Sequence, residues 1–408
     1  MTRPSLLFVS PRFLFPMDQG GKIRTGNILK GLKGGVFEVV LASPAPAGAA
    51  AHRTEIDAAC DRFLSWPEAP YSRPRRLAAL ASPLPVAAAT DRSAAGSCVV
   101  ADALAARPAV VVADFPHADV LMPNRIEPAS LLFTHNVEAE IFERHAQRAR
   151  GIWKLLWADQ ARKMARLEQA ALARYDSVIA VSTRDRDVLA RRYSLPVVEE
   201  IDTGVDLDFF QAHPPEAAED PGEDGGTLVF VATMSWAANV EGIHFLLDEV
   251  WPRLVAVRPR IKAVIIGRNP PAALADKIRE RGLAVRLTGF VDDIRPFVGK
   301  ANVYVIPLFV GSGTRIKAFE AMAMGRPVIS TTLGIEGLDV TDGVNFLRAD
   351  NAEEFSRSIL GLLADPAARD RIAGAARRLM EDRFSWATVA RQFEAICLRA
   401  LERKRDGH

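Results

Sequence analysis

Short apolar runs of strand length recur along this chain, each followed by a stretch whose apolar residues fall three or four apart. In the first half the runs are Leu6–Ser10, Phe37–Ser43, Val110–Asp114, Leu131–His135 and Ser177–Ser182. In the second half they are Leu228–Ala232, Ala263–Gly267, Val285–Thr288, Val303–Leu308 and Val328–Thr332. Runs this short, without alternation, fit strands buried on both faces. The stretches between them read as helices: one marked by Ile243, Leu247, Val250 and Leu254, then Pro271–Arg281, Asp293–Lys300 and 352–382. A last helix carries Val389, Phe393, Ile396 and Ala400 on one face. Strand and helix in alternation predict an α/β fold with two doubly wound parallel sheets of Rossmann-like type. His213–Gly226, rich in Pro, Asp, Glu and Gly, reads as the linker. The predicted domains are therefore 1–212, rejoined by the terminal helix 384–408, and 213–383. Pro44–Ala106, rich in Ala, Pro and Arg, gives no clear pattern.

Arg144 to Tyr175 reads as one long helix. Trp153, Leu156, Trp157, Ala161, Met164, Leu167 and Ala171 form an apolar stripe, and eight Lys/Arg stand against two Asp/Glu. Two readings stand. A basic amphipathic helix with Trp can lie on an anionic membrane surface. Alternatively the stripe is domain core and the charges are solvated.

At 408 residues the chain has room for two or three domains, and its net charge of +2 gives no reason to expect a nucleic-acid partner. Cys60, Cys98 and Cys397 are widely spaced and odd in number, so no disulfide framework or metal motif is indicated. That suits a cytoplasmic protein. No apolar run approaches membrane-spanning length, and the start of the chain reads as too short for a signal peptide. Cytoplasmic residence is expected, with peripheral contact at the inner face of the plasma membrane if the basic helix docks there.

The densest candidate chemistry lies from Val303 to Ser330. Val303–Leu308 is a strand, Phe309–Gly313 a loop with two glycines, and Thr314–Met324 a helix stopped by Gly325 and Pro327. Strand, glycine loop and helix start make an anion site, since free N–H groups and the helix dipole face the ligand. Arg315 and Lys317 add two positive charges, and Glu320 is placed to accept hydrogen bonds from sugar hydroxyls. Together they suggest a nucleoside diphosphate sugar; an ordinary βαβ turn with a charged face is the plain alternative. Near the N-terminus, Gly20-Gly21 follows the first strand and opens a helix without forming G-x-G-x-x-G, so a nicotinamide cofactor is not indicated. The pair of glycines admits a phosphate or sugar, or serves tight packing. His135 ends a strand, where ligands of open α/β sheets bind; it is a substrate contact or a satisfied structural group. Asp185-Arg186-Asp187 and Asp206-Leu207-Asp208 match Asp-x-Asp by letter and read as structural.

The residues resemble the GT-B glycosyltransferases of family four, the retaining nucleotide-sugar-dependent enzymes. The carriers are Gly20-Gly21, Thr134-His135-Asn136, Asp202 to Asp206, Thr288 to Asp293, and Phe319 to Val328. Pro11 to Thr25 and Met234 to Gly242 look like the exopolysaccharide and cell-surface glycan branch. The resemblance implies two Rossmann-like domains with a cleft between them, 1–212 on the acceptor side and 213–383 binding the nucleotide-sugar donor. It implies that Glu320 binds the ribose hydroxyls and that Gly311, Ser312, Gly313 and Thr314 form the donor loop, with Gly313 and Thr314 at the diphosphate. Phe290 and Val291 would border the base. Gly20 and Gly21 would face the donor from the other domain, and His135 would contact the donor sugar. Such enzymes generally need no metal, so no cofactor is expected. Expected partners are the nucleotide-sugar donor and a glycan or lipid-linked saccharide acceptor. Two departures stand out. The family commonly has a Glu eight positions before Glu320, where this chain has Ser312. It also commonly has an Arg and a Lys after the first strand of the second domain, where Thr233–Asn239 has neither. Arg315 and Lys317 are assigned the missing charge, because the leaving diphosphate needs positive charge in the transition state. A sugar-nucleotide epimerase of similar fold and a non-catalytic nucleotide-sugar-binding protein are the alternatives.

Overall fold

The computed structural model describes every residue except 1–2, 70–71, 213–217, 219, 235, 311–315, 337 and 408, and only the backbone of Arg148. The chain forms two units, residues 1–203 with 386–408, and residues 204–385.

The first unit is built on seven strands: β1 (Ser5–Val9), β2 (Glu38–Ala45), β3 (Arg62–Pro67), β4 (Val110–Asp114), β5 (Ala129–Phe133), β6 (Ser177–Ala180) and β7 (Val198–Glu200). All pairings are parallel, in the order β3-β2-β1-β4-β5-β6-β7. Leu6 stands beside Val39 on one side and Val110 on the other. The central strands β4 and β5 are buried at every position, which is why their apolar runs are unbroken. The strand order reverses between β1 and β4, and ligand sites form at the carboxyl ends beside such a reversal.

The second unit repeats the plan with β8 (Gly225–Val231), β9 (Arg260–Ile266), β10 (Val285–Gly289), β11 (Val303–Ile306), β12 (Val328–Ser330) and β13 (Leu347–Arg348). Its order is β10-β9-β8-β11-β12-β13, again all parallel, with the reversal between β8 and β11.

The terminal helix Trp386–Asp406 belongs to the first unit. It lays Val389, Phe393, Ile396, Cys397 and Ala400 into that unit's core. The Phe393 ring stands 6.3 Å from Phe8 and 5.3 Å from Phe133. Val389, Phe393 and Ile396 each contribute about 1.5–3 kcal/mol by this burial. A Cβ at Gly31 would meet the Ala390 Cβ at 2.4 Å, so only glycine lets the helix Gly20–Leu32 lie this close to the terminal helix.

Several sequence expectations shift. The units divide at 203/204 and 385/386 rather than at 212/213 and 383/384. Residues 204–212 pack on the second unit: Val205 donates its N–H to the Phe384 carbonyl at 2.7 Å, and the Arg295 guanidinium lies 3.9 Å from the Phe209 ring centre. Of the expected linker, 213–217 and 219 lie outside the described residues, and β8 begins at Gly225. The long helix 144–175 is two, Glu138–Arg148 and Ile152–Leu172, because Gly151 turns the chain at φ +57°. Ala161, Met164, Leu167 and Ala171 of its stripe are buried, whereas Trp153 is 63% exposed. The stretch 352–382 divides into Ala352–Ala364 and Pro366–Arg383, with the Asp365 side chain capping the second helix. Among the described residues, no helix is long and apolar enough to cross a membrane.

Candidate functional site

In the second unit a cavity of ≈ 220 Å³ opens at the carboxyl ends of β8 and β11, beside the strand-order reversal. Thr233, Trp236, Asn239, Leu308, Ile316 and Lys317 are among its walls. The sequence builds it directly. Ala318, Phe319, Ala321 and Met322 are buried on the helix Ile316–Ala323, which leaves Lys317 at the cavity and Glu320 partly exposed. A Cβ at Gly242 would come within 2.1 Å of the Pro307 carbonyl oxygen, so glycine is needed for the helix Ala237–Phe245 to close the opposite wall. Lys317 Nζ donates to Glu320 Oε2 at 3.2 Å. The cation expected at the diphosphate and the carboxylate expected at the ribose are therefore hydrogen-bond partners. Gly311, Ser312, Gly313, Thr314 and Arg315 lie outside the described residues.

Phe290 and Val291 follow β10, two strands away from β8 in the sheet. Phe290 is 55% exposed, and the Arg268 guanidinium lies 3.8 Å from its ring centre. This makes a flat platform of ring and cation, while Val291 packs partly into the core. A larger cavity, ≈ 490 Å³, lies by Asn302 and Arg326-Pro327, where strands begin. Ligand sites of such sheets form at the opposite, carboxyl ends.

In the first unit the carboxyl ends of β1, β4 and β5 meet in a buried polar cluster. Asp114, fully buried, accepts hydrogen bonds from Ser10 Oγ at 3.0 Å and Thr25 Oγ1 at 3.2 Å. Its Oδ1 also lies 2.7 Å from His135 Nε2. Arg24 Nη1 lies 3.2 Å from His135 Nδ1, and Arg24 Nη2 donates to Thr203 Oγ1 at 2.8 Å. Arginine only donates, so Nδ1 accepts and the proton sits on Nε2, facing Asp114. Burial holds His135 below its ordinary pKa, against the pull of Asp114. Burial likewise brings Arg24 down to about 10, against Asp185 and Asp114. Arg24 Nε is buried without a hydrogen-bond partner among the described residues. His135 is thus a neutral ring, 3% exposed, with both nitrogens engaged inside the protein.

Phe115 covers this ring, centroids 4.0 Å apart and planes 24° from parallel. A Cβ at Gly21 would meet Phe115 Cζ at 2.8 Å, whereas one at Gly20 would meet nothing within 4 Å. Gly21 answers to packing against Phe115, and Gly20 leaves open space. Behind the cluster, Glu168 is fully buried and caps the helix Glu138–Arg148. It accepts from the N–H groups of Glu138 at 2.8 Å and Ala139 at 3.3 Å, and from the Tyr193 hydroxyl at 2.6 Å. Burial, and then the neighbouring Glu168 charge, push the Glu138 carboxyl up to about 7.

The structure thus brings Lys317 together with Glu320 in one unit, and Gly21 together with His135 in the other. Sequence reasoning missed Ser10, Thr25, Asp114 and Thr203 as members of the His135 cluster. A signal was present: strands β1, β4 and β5 all run out into polar residues, Ser10, Asp114 and Thr134-His135.

Comparison with known proteins agrees with this layout. The family model for glycosyl transferases group 1 matches residues 225–365. A phosphatidyl-myo-inositol mannosyltransferase of Mycolicibacterium smegmatis is 28% identical over 218 residues, 51% of this chain and 54% of that protein. The match thus spans about half the length of that relative. A glycogen synthase of Mycobacterium tuberculosis is 28% identical over 330 residues, 78% of this chain and 72% of that protein. Among solved structures, Anabaena Alr3699/HepE in complex with UDP and glucose superposes with a TM-score of 0.61 at 16% identity, covering 97% of this chain and 99% of that one. Residues 225–365, which carry the cavity at the β8/β11 reversal, thus match the glycosyl transferases group 1, and the chain as a whole has the two-sheet GT-B fold.

Proposed function

We propose that this protein is a retaining glycosyltransferase that moves a sugar from a nucleoside diphosphate donor to a glycan or lipid-linked acceptor, in exopolysaccharide or cell-surface glycan assembly. The observation that carries the reading is the cavity at the β8/β11 reversal, with Lys317 in its wall and Glu320 three residues further along the helix. Relatives support it: the Anabaena protein was solved with UDP and glucose, and the M. smegmatis protein is a mannosyltransferase.

In this reading Glu320 exchanges its bond with Lys317 for the two ribose hydroxyls. Lys317 is then released toward the diphosphate, whose leaving oxygen gains charge in the transition state. The acceptor oxygen bonds to the anomeric carbon on the face that the leaving phosphate vacates. The acceptor's proton passes to the departing phosphate oxygen, so configuration is kept without a covalent enzyme intermediate. The neutral His135 ring, fixed between Arg24 and Asp114 and covered by Phe115, acts as a positioning group within the first unit rather than in proton transfer. No metal takes part in this scheme. The protein works in the cytoplasm, and the hairpin of helices Glu138–Arg148 and Ile152–Leu172 is its membrane-facing feature. The exposed tip of that hairpin carries Ile152, Trp153 and Leu155 beside Arg150 and Lys154.

The test begins with a thermal-shift screen of UDP, GDP and ADP. The protein is then incubated with the matching sugar nucleotide alone, and again with an acceptor. A glycoside formed only with acceptor supports the proposal. An isomerised donor would mean an epimerase, and binding without turnover a non-catalytic binder.

A further inference from the structure

A further cavity of the first unit belongs to neither candidate site. It measures ≈ 700 Å³, within the range of small-molecule sites, and lies at the carboxyl ends of β1, β2 and β3. Four arginines line it, Arg12, Arg75, Arg76 and Arg92, against two carboxylates, Glu68 and Asp91. No carboxylate lies within ion-pair distance of Arg12, Arg75 or Arg92 among the described residues. Arg75 spends one amino group on the Thr90 carbonyl at 2.9 Å, which fixes its position, while Arg12 and Arg92 are exposed. Arg12, Arg75 and Arg92 therefore present guanidinium donors round one concavity, the geometry that grips a phosphate or carboxylate.

Asp91 in the cavity wall, with His117 beside it, gives a second, independent sign. Among the described residues, Asp91 Oδ2 is buried without a hydrogen-bond partner, and so are both ring nitrogens of His117, which is 4% exposed. His117 Nδ1 stands 3.7 Å from Asp91 Oδ2 and His117 Nε2 stands 4.0 Å from Glu138 Oε2, both too far for hydrogen bonds. Buried polar atoms held apart in this way await a partner. The cavity also adjoins the His135 cluster. The Arg12 guanidinium lies 6.0 Å from the centre of the Phe115 ring that covers His135.

We propose that this cavity holds the acceptor, that the arginines bind a phosphate ester or diphosphate on it, and that Asp91 receives a hydroxyl of the attached sugar. The assignment of the ligand as acceptor rests on the transferase reading above. The class follows from charge. Four arginines against two carboxylates leave an excess of two positive charges, which one carboxylate sugar would half-fill. A phosphate ester carries about −1.5 to −2 at neutral pH and offers the oxygens that guanidinium groups grip in pairs. The phosphate can come from a soluble phosphorylated sugar or from a lipid diphosphate, and the test separates the two.

Binding of glucose 6-phosphate and of farnesyl diphosphate below its micellar concentration is measured by calorimetry on the full chain, with UDP and GDP run in parallel. At least one phosphate probe should bind the wild type without competing with the nucleotide, and the one that binds identifies the source. Arg12→Gln/Arg92→Gln should weaken that probe at least tenfold and leave nucleotide affinity within twofold. Arg62→Gln/Arg166→Gln, which removes two exposed arginines of the same unit outside the cavity, should keep wild-type affinity for the probe. The proposal is overturned if neither probe binds, if the probe competes with the nucleotide, or if the control variant loses as much as the cavity variant. Failure of nucleotide binding alone would instead strike the donor assignment in the second unit.

Discussion

Glu320→Gln separates a ligand-binding role from a structural one, because the two predict different quantities. Among the described residues Glu320 pairs with Lys317 at 3.2 Å, with the Lys317 side chain 46% exposed and that of Glu320 13% exposed. A solvent-screened pair three residues apart on a helix is worth roughly 0.2–0.5 kcal/mol. Removing its charge should therefore leave the urea midpoint almost unmoved. The nucleotide complex is different. There the carboxylate accepts from two ribose hydroxyls, and hydrogen bonds to a charged acceptor are worth about 1 kcal/mol more each than bonds to a neutral one. Glutamine also has one acceptor oxygen where glutamate has two. The expected loss is about 2 kcal/mol, or roughly thirtyfold in Kd. Calorimetric titration of wild type and variant with UDP and GDP, alongside urea denaturation of both, reads the two quantities together. A nucleotide Kd within twofold of wild type would remove Glu320 from the site. A matching loss of stability would show that the fold, and not the ligand, depends on this carboxylate.

The other expectations are briefer. Lys317→Ala should lower turnover by about a hundredfold while changing nucleotide affinity much less, since its charge is needed most as the phosphate leaves; equal losses in both would make it a ground-state contact. EDTA should leave activity intact, and full loss restored by Mg²⁺ or Mn²⁺ would contradict the metal-free scheme. The Glu138 carboxyl, raised from 4.5 to about 7, is protonated in the folded state at pH values where the unfolded chain is ionised. Its contribution is therefore fully present below pH 4.5 and lost as pH rises through about 7, a difference of about 3 kcal/mol. Glu138→Gln should accordingly be more stable than wild type at pH 8 and similar at pH 5 in urea titrations; parallel curves would discard the assignment. Trp153→Ser/Leu155→Ser should reduce sedimentation with anionic vesicles, and unchanged binding would return the hairpin tip to a purely solvated role.

The elements that could be read from sequence are those buried on both faces. β1, β4, β8 and β11 stand at the two strand-order reversals, and their apolar runs leave little choice of assignment. β3 was hidden because it is an edge strand that buries only Trp66, inside a stretch dominated by Ala, Pro and Arg. β7 and β13 are edge strands of 3 and 2 residues, too short for any period to register. The site divides the same way. Lys317 and Glu320 announce themselves by spacing along one helix. Asp114, Arg24 and Thr203 are brought to His135 by the sheet and by a loop from far along the chain. Pairs separated by up to 179 positions carry no local signature.

The terminal helix has a consequence for how the protein is made. Its Phe393 fills the space between Phe8 and Phe133, so the first unit's core lacks a wall until residues 386–406 leave the ribosome. Residues 204–385 form a unit of their own and can close earlier, although they are synthesised later than most of the first unit. Throughout synthesis of that inserted unit, the apolar faces of Leu29, Phe8 and Phe133 stay uncovered and open to association with other chains. A nascent chain stalled before Trp386 should therefore be cut by protease in the first unit while the second resists.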